Sequence, residues 1–228
     1  MDSRLDRVGP WGGDGRPGSW ALQPARARLV LCDVEPPRRR SRAIADSEAA
    51  PREPRLGGQA LKRVVYSEER IRQRVAEMGR QIAAAYPDDA ELLVLGLLKG
   101  SFIFLADLVR EIDRPLQVDF LLASSYGSER VTSGEVELLY DSGASLEGRS
   151  VILVEDIVDS GNTMNRLVPV LLERGPESLE ICALLHKRIT NLDLEPRWVG
   201  FEAPKEFLVG YGLDYSENFR HLPYIGSI

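Results

Sequence analysis

The chain has 228 residues, 43% of them hydrophobic and 28% charged, with a net charge of −6. That balance fits a soluble globular protein with one domain as the default. It excludes a membrane helix, since no stretch approaches ~18 consecutive apolar residues, and it argues against a general nucleic-acid surface.

The charge is unevenly distributed. Residues 1–60 hold 11 Arg, no Lys and 8 acids, together with 7 Gly and 7 Pro. Apart from a short apolar run at residues 29–32, nothing there repeats at helix or strand period, and the acids and prolines count against a targeting peptide. The expected organisation is a disordered extension over 1–60 and one folded domain over 61–228. The two cysteines, Cys32 and Cys182, are far apart and lack metal-ligand spacing, which disfavours a zinc site or disulfide framework and points to a reducing cytoplasm.

The first regular element is a helix opening at Ser67. Ile71, Val75, Met78, Ile82 and Ala85 make one apolar stripe, and Glu68 and Glu69 sit favourably in the first turn. Residues 92–98 are almost continuously apolar, as expected of a strand covered on both faces. A turn at 99–101 leads into a helix with Phe102, Leu105, Leu108, Val109 and Ile112 facing inward and Ser101 as N-cap. Strands are expected at 115–123 and 135–140, separated by a polar loop at 124–133. A strand at 151–154 follows, then a helix over about 162–174, and further short strands at 179–185, 198–201, 207–209 and 224–225. Alternating strands and helices predict an α/β domain with a doubly wound, mostly parallel sheet flanked by helices.

Residues 151–164 read V-I-L-V-E-D-I-V-D-S-G-N-T-M. In such sheets ligands bind beyond the carboxyl ends of the strands. Ser160, Gly161, Asn162 and Thr163 lie where a strand gives way to a helix, so backbone N–H groups and short hydroxyls converge as a phosphate cradle. Glu155 and Asp156 would repel that phosphate. They are better suited to accepting hydrogen bonds from ribose hydroxyls, or to holding a divalent cation directly or through water. Asp159 remains as a candidate base.

This stretch resembles the phosphoribosyl pyrophosphate (PRPP) signature of the type I phosphoribosyltransferases. Residues 61–228 are similar throughout to the bacterial branch of that family that acts on hypoxanthine, or on hypoxanthine and guanine. Four motifs beside it carry the likeness in order and spacing: Leu98-Lys99-Gly100-Ser101, Ser125-Tyr126, Lys187, and the run F-L-V-G-Y-G-L-D-Y-S-E-N-F-R at 207–220. The resemblance implies the type I fold, with a small hood formed by the terminal segments. It implies that Lys99, Gly100 and Arg220 contact pyrophosphate, with a cis peptide bond after Leu98. Ser125 and Tyr126 would belong to a lid that keeps water from the reacting centre. Lys187 would donate to the 6-oxo group of a purine, Phe207 would stack on the ring, and the backbone of Leu208 would read its edge. Asp214 would bind magnesium beside the purine, with Glu155 and Asp156 as further metal-facing carboxylates.

The implied activity is purine salvage in the cytoplasm: transfer of the 5-phosphoribosyl group to N9 of a 6-oxopurine, by a homodimer or homotetramer that uses Mg2+. Two rivals stand beside it, a xanthine- or guanine-specific enzyme and a non-catalytic PRPP-sensing regulator on the same fold. The presence of Lys99, Lys187, Asp214 and Arg220 together favours the enzyme.

Overall fold

A computed structural model of the chain describes residues 54–123, 138–188 and 192–228, all within one compact unit. Most of the expected extension, and the lid positions Ser125 and Tyr126, lie outside the described residues. The described chain begins with a 3-10 turn at Pro54–Leu56.

Helix α1 (Glu68–Ala85) opens at Ser67, whose hydroxyl accepts a hydrogen bond from the Arg70 N–H at 3.4 Å. Ile71, Val75, Met78 and Ile82 are buried on its inner face. Each contributes roughly 2 kcal/mol of burial, which holds the helix far more firmly than its intrinsic propensity does. Helix α2 (Phe102–Glu111) departs from expectation at its start. Phe104, Leu105 and Leu108 face inward, while Phe102 is exposed. The Ser101 hydroxyl does not cap the helix; it donates back to the Leu97 carbonyl at 2.6 Å.

The main sheet has six strands: β2 (Leu92–Leu98), β3 (Gln117–Ala123), β4 (Leu138–Tyr140), β5 (Ser150–Val158), β6 (Ser178–His186) and β7 (Trp198–Glu202). Their spatial order is β4-β3-β2-β5-β6-β7, parallel throughout except where β4 pairs antiparallel with β3 at the edge. The alternating pleat divides the core into two halves. Leu92, Val94, Ile152 and Val154 pack with α1 and α2, whereas Leu93, Leu95, Val151 and Leu153 pack with helix α3 (Asn162–Leu172). Helices thus cover both faces, as the apolar runs require.

The hood is a second, three-stranded antiparallel sheet made from β1 (Arg63–Tyr66), β9 (Ile225–Ser227) and β8 (Leu208–Val209). Sequence periodicity did not reveal β1, because four residues are too few for a period and the partner strand lies at the other end of the chain. Tyr66 ties the hood to the main sheet: its hydroxyl donates to the Glu202 carbonyl at 2.6 Å and its ring stacks on Phe201.

Candidate functional site

Strands β2, β5 and β6 are parallel neighbours, so their carboxyl ends share one rim. Each end carries one of the motifs. The β5–β6 ladder pairs Val158 with His186, and the Lys187 N–H donates to the Val158 carbonyl at 3.0 Å. The next residues outward, Asp159 and Lys187, therefore leave the sheet side by side. The Lys187 ammonium lies 2.9 Å from an Asp159 carboxylate oxygen; the Lys187 side chain is 17% exposed and that of Asp159 57%. A candidate base and a candidate donor are thus fixed beside each other by backbone register.

The uninterrupted apolar run ends at Val154. In the structure β5 continues to Val158, so Glu155 and Asp156 belong to the sheet and are not in the turn. Both residues are half-buried there. The Glu155 Oε2 atom has no solvent exposure and no hydrogen-bond partner among the described residues. Burial, with the neighbouring Asp156, pushes its carboxyl well above the usual carboxylate range. Burial also raises Asp156 to about 6, an effect partly offset by backbone N–H groups and the Arg220 guanidinium. A dry, unsatisfied acceptor costs about 1–3 kcal/mol until a donor reaches it. A ligand hydroxyl is such a donor.

Beyond β5, Gly161 adopts a left-handed conformation (φ 73°) and is the N-cap of α3, with no side-chain cap of its own. The first N–H groups of α3 are left for an anion. Glu155, Val158, Asp159, Ser160, Gly161 and Thr163 line a cavity of about 70 Å3 there. Asn162 starts the helix, exposed and outside that lining.

At the end of β2 the Leu98–Lys99 peptide is cis. The turn is wedged between two layers. A Cβ on Gly100 would come within 1.7 Å of the Asp156 carboxylate, and one on Gly212 within 2.0 Å of the Gly100 carbonyl oxygen. The hood backbone thus rests on the turn and the turn rests on Asp156, with no room for a side chain at either glycine.

The hood brings the remaining residues to the rim. Tyr211 anchors it, donating to Asp107 of α2 at 2.6 Å. Arg220 pairs with Asp214 at 2.8 Å and donates to the Gly212 carbonyl at 2.8 Å. Lys99 lies 3.2 Å from Glu217, which also stands 3.5 Å from Arg220. Leu208 is buried in β8, whereas Phe207 is 53% exposed and meets Tyr215 edge-on at 5.7 Å. Sequence reasoning missed Gly212, Tyr215 and Glu217. Their only signal is position, inside a run that also holds Phe207, Leu208, Asp214 and Arg220.

Known proteins are similar to this chain in sequence and fold. The profile of the phosphoribosyl transferase domain matches residues 65–216. The chain is 47% identical over 167 residues to a hypoxanthine phosphoribosyltransferase of Salmonella typhimurium, spanning 72% of this chain and 94% of the relative. It is 42% identical over 171 residues to a hypoxanthine-guanine phosphoribosyltransferase of Dictyostelium discoideum, spanning 73% and 95%. A crystal structure of a hypoxanthine phosphoribosyltransferase from Staphylococcus aureus superposes with a TM-score of 0.68 at 41% identity, covering 74% of this chain and 93% of that one.

Proposed function

The chain belongs to the phosphoribosyl transferase family, and from that membership we infer that it transfers the 5-phosphoribosyl group of PRPP to N9 of hypoxanthine, and also of guanine. The products are the nucleoside monophosphate and pyrophosphate. The observation that carries the purine assignment is the Asp159–Lys187 pair at 2.9 Å, an acid and a cation held together at the rim.

The 5-phosphate of PRPP sits in the cradle of Ser160, Gly161 and Thr163 at the start of α3, with Asn162 at its outer edge. The ribose hydroxyls donate to Glu155 and Asp156, and this supplies the partner that Glu155 Oε2 lacks within the described protein. The diphosphate lies against the Gly100 turn, with Lys99 and Arg220 countering its charge. Lys187 donates to the 6-oxo group, Phe207 covers the ring, and Leu208 reads its edge. A 6-amino group would set donor against donor at Lys187, which disfavours adenine. As the bond from C1 to the diphosphate oxygen breaks and N9 closes on C1, Asp159 takes the proton that leaves the imidazole ring of the purine.

Magnesium shared with a substrate diphosphate needs only one or two protein carboxylates. Asp214 fits that requirement, since its side chain is 29% exposed at the edge of the hood. Glu155 and Asp156, more enclosed, fit contact through ribose hydroxyls or water. The ion supplies positive charge to the departing diphosphate oxygens. No helix among the described residues is long and apolar enough to cross a membrane. The setting we assign is the cytoplasm, and the assembly a homodimer or homotetramer.

The deciding experiment is a PRPP-dependent competition among hypoxanthine, guanine, xanthine and adenine, followed by pyrophosphate release. Turnover of hypoxanthine and guanine with adenine rejected is expected. Turnover of xanthine alone would replace the assigned acceptor, and PRPP binding without pyrophosphate release would make the protein a sensor.

A further inference from the structure

Glu217 lies between the two cations assigned above to the diphosphate. One of its carboxylate oxygens, Oε2, is 3.2 Å from the Lys99 ammonium and 3.5 Å from the Arg220 guanidinium. Its backbone is fixed: the Glu217 N–H donates to Asp214 at 2.8 Å, and Ser216 and Glu217 both adopt positive φ (51° and 64°). Asn218 adds a side-chain bond to the Ser216 carbonyl at 2.9 Å. A left-handed pair of non-glycine residues is uncommon and is held here by neighbouring bonds. The turn therefore delivers the carboxylate to the cations. The side chain itself is 68% exposed, so moving it aside sacrifices little burial.

We propose that Glu217 is an internal stand-in for the diphosphate, bridging Lys99 and Arg220 when that group is absent and competing with it for the same two cations. The proposal rests on the reading that Lys99 and Arg220 receive the diphosphate. A glutamate of ordinary acidity is ionised at neutral pH and brings one negative charge to the two cations. A diphosphate carries several charges against its one and displaces it. When the diphosphate leaves, Glu217 returns to the cations, which stabilises the emptied site and so weakens the hold on the product. Because Glu217 and Lys99 are exposed, with only Arg220 partly buried, the competition is worth a few-fold and not orders of magnitude.

The test is initial-rate kinetics of Glu217→Gln beside the parent enzyme, with the fold checked by near-UV circular dichroism. The variant keeps the shape of the side chain and removes its charge. Both the KM for PRPP and the inhibition constant for pyrophosphate should fall by about three- to fivefold, with the KM for hypoxanthine unchanged. If both constants stay the same or rise while Lys99→Met still weakens pyrophosphate inhibition, Glu217 is no competitor and the proposal fails alone. If Lys99→Met and Arg220→Gln also leave pyrophosphate inhibition unchanged, the diphosphate assignment fails and takes the proposal with it.

Discussion

The main sheet and the hood contribute to one site by opposite means. Strands β2, β5 and β6 run seven, nine and nine residues, and they place Asp159 and Lys187 through ladder register alone. The hood strands have four, two and three residues. Among the described residues, the non-glycine positions with positive φ, Tyr211, Ser216, Glu217 and Phe219, all fall in the hood segment. There the geometry comes from individual bonds such as Tyr211 to Asp107 and Arg220 to Gly212. A rigid sheet suits groups that must not move during bond exchange, whereas a hood of short strands and local bonds suits groups that meet a charged substrate and then release it.

The sharpest way to test that division is at Asp159. Asp159→Asn keeps the size and an acceptor for Lys187 but removes the proton-accepting charge. We expect kcat to fall about 10^2–10^4-fold, with the KM for PRPP changed less than about threefold, because Glu155, Asp156, Ser160, Gly161 and Thr163, the groups proposed to hold PRPP, are untouched. Unchanged turnover would remove Asp159 from the chemistry, and an equal loss in PRPP affinity would make it a binding group.

The same division explains what the amino-acid sequence disclosed. An apolar run that ends in E-D-I-V-D-S-G-N-T contradicts its own burial, and that contradiction exposes the site without any structure. Seven residues that are apolar except for one glycine, as in β2, announce a covered strand. Nothing comparable marks β1, whose R-V-V-Y gains meaning only against Ile225–Ser227 at the other end of the chain. Phe102 looked like core because a helix start has no preceding turn to set its phase. Glu155 and Asp156 were read as lying beyond the strand because acids seldom end a buried one; the enclosed, unpartnered Oε2 is the reason they do here. Lys187 had no local signal, since a lysine after a strand is ordinarily solvated, and only its register with Asp159 gives it a place. Glu217 was legible least of all, because its role lies in two contacts from separate elements.

A smaller effect is expected where the two regions touch. At Gly212 (φ 101°) a Cβ would meet the Gly100 carbonyl at 2.0 Å. Both backbones are constrained, so Gly212→Ala should lift the hood from the Gly100 turn. A shift near 1 Å at a binding group costs on the order of 10- to 100-fold, and the loss should appear in kcat/KM for PRPP. The KM for hypoxanthine at saturating PRPP, set by the purine contacts at Lys187, should change less. Wild-type kcat/KM in this variant would show that the hood and the turn adjust independently.

The smallest effect belongs to the sheet away from its rim. Asp119, near the start of β3, accepts from the Ser142 hydroxyl at 2.7 Å, the Phe120 N–H at 2.8 Å and the Ala144 N–H at 3.2 Å. It pins the turn before β5 to the sheet without approaching the motifs. The Ser142 hydroxyl, foremost, and these N–H groups hold its carboxyl below the ordinary range. A depressed carboxyl contributes stability that is fully present above the unfolded-state value of about 3.9 and is lost as pH falls through the lower folded value. Asp119→Asn keeps one acceptor and loses the charge-assisted bonds, so it should lower stability by about 1 kcal/mol at pH 7 and leave kcat intact. Urea unfolding of variant and parent should show that gap constant from pH 7 to 5 and closing below about pH 4. A gap that persists undiminished at low pH would mean that shape and not charge is what Asp119 supplies. A fall in kcat would mean that the sheet is less rigid than its ladder implies.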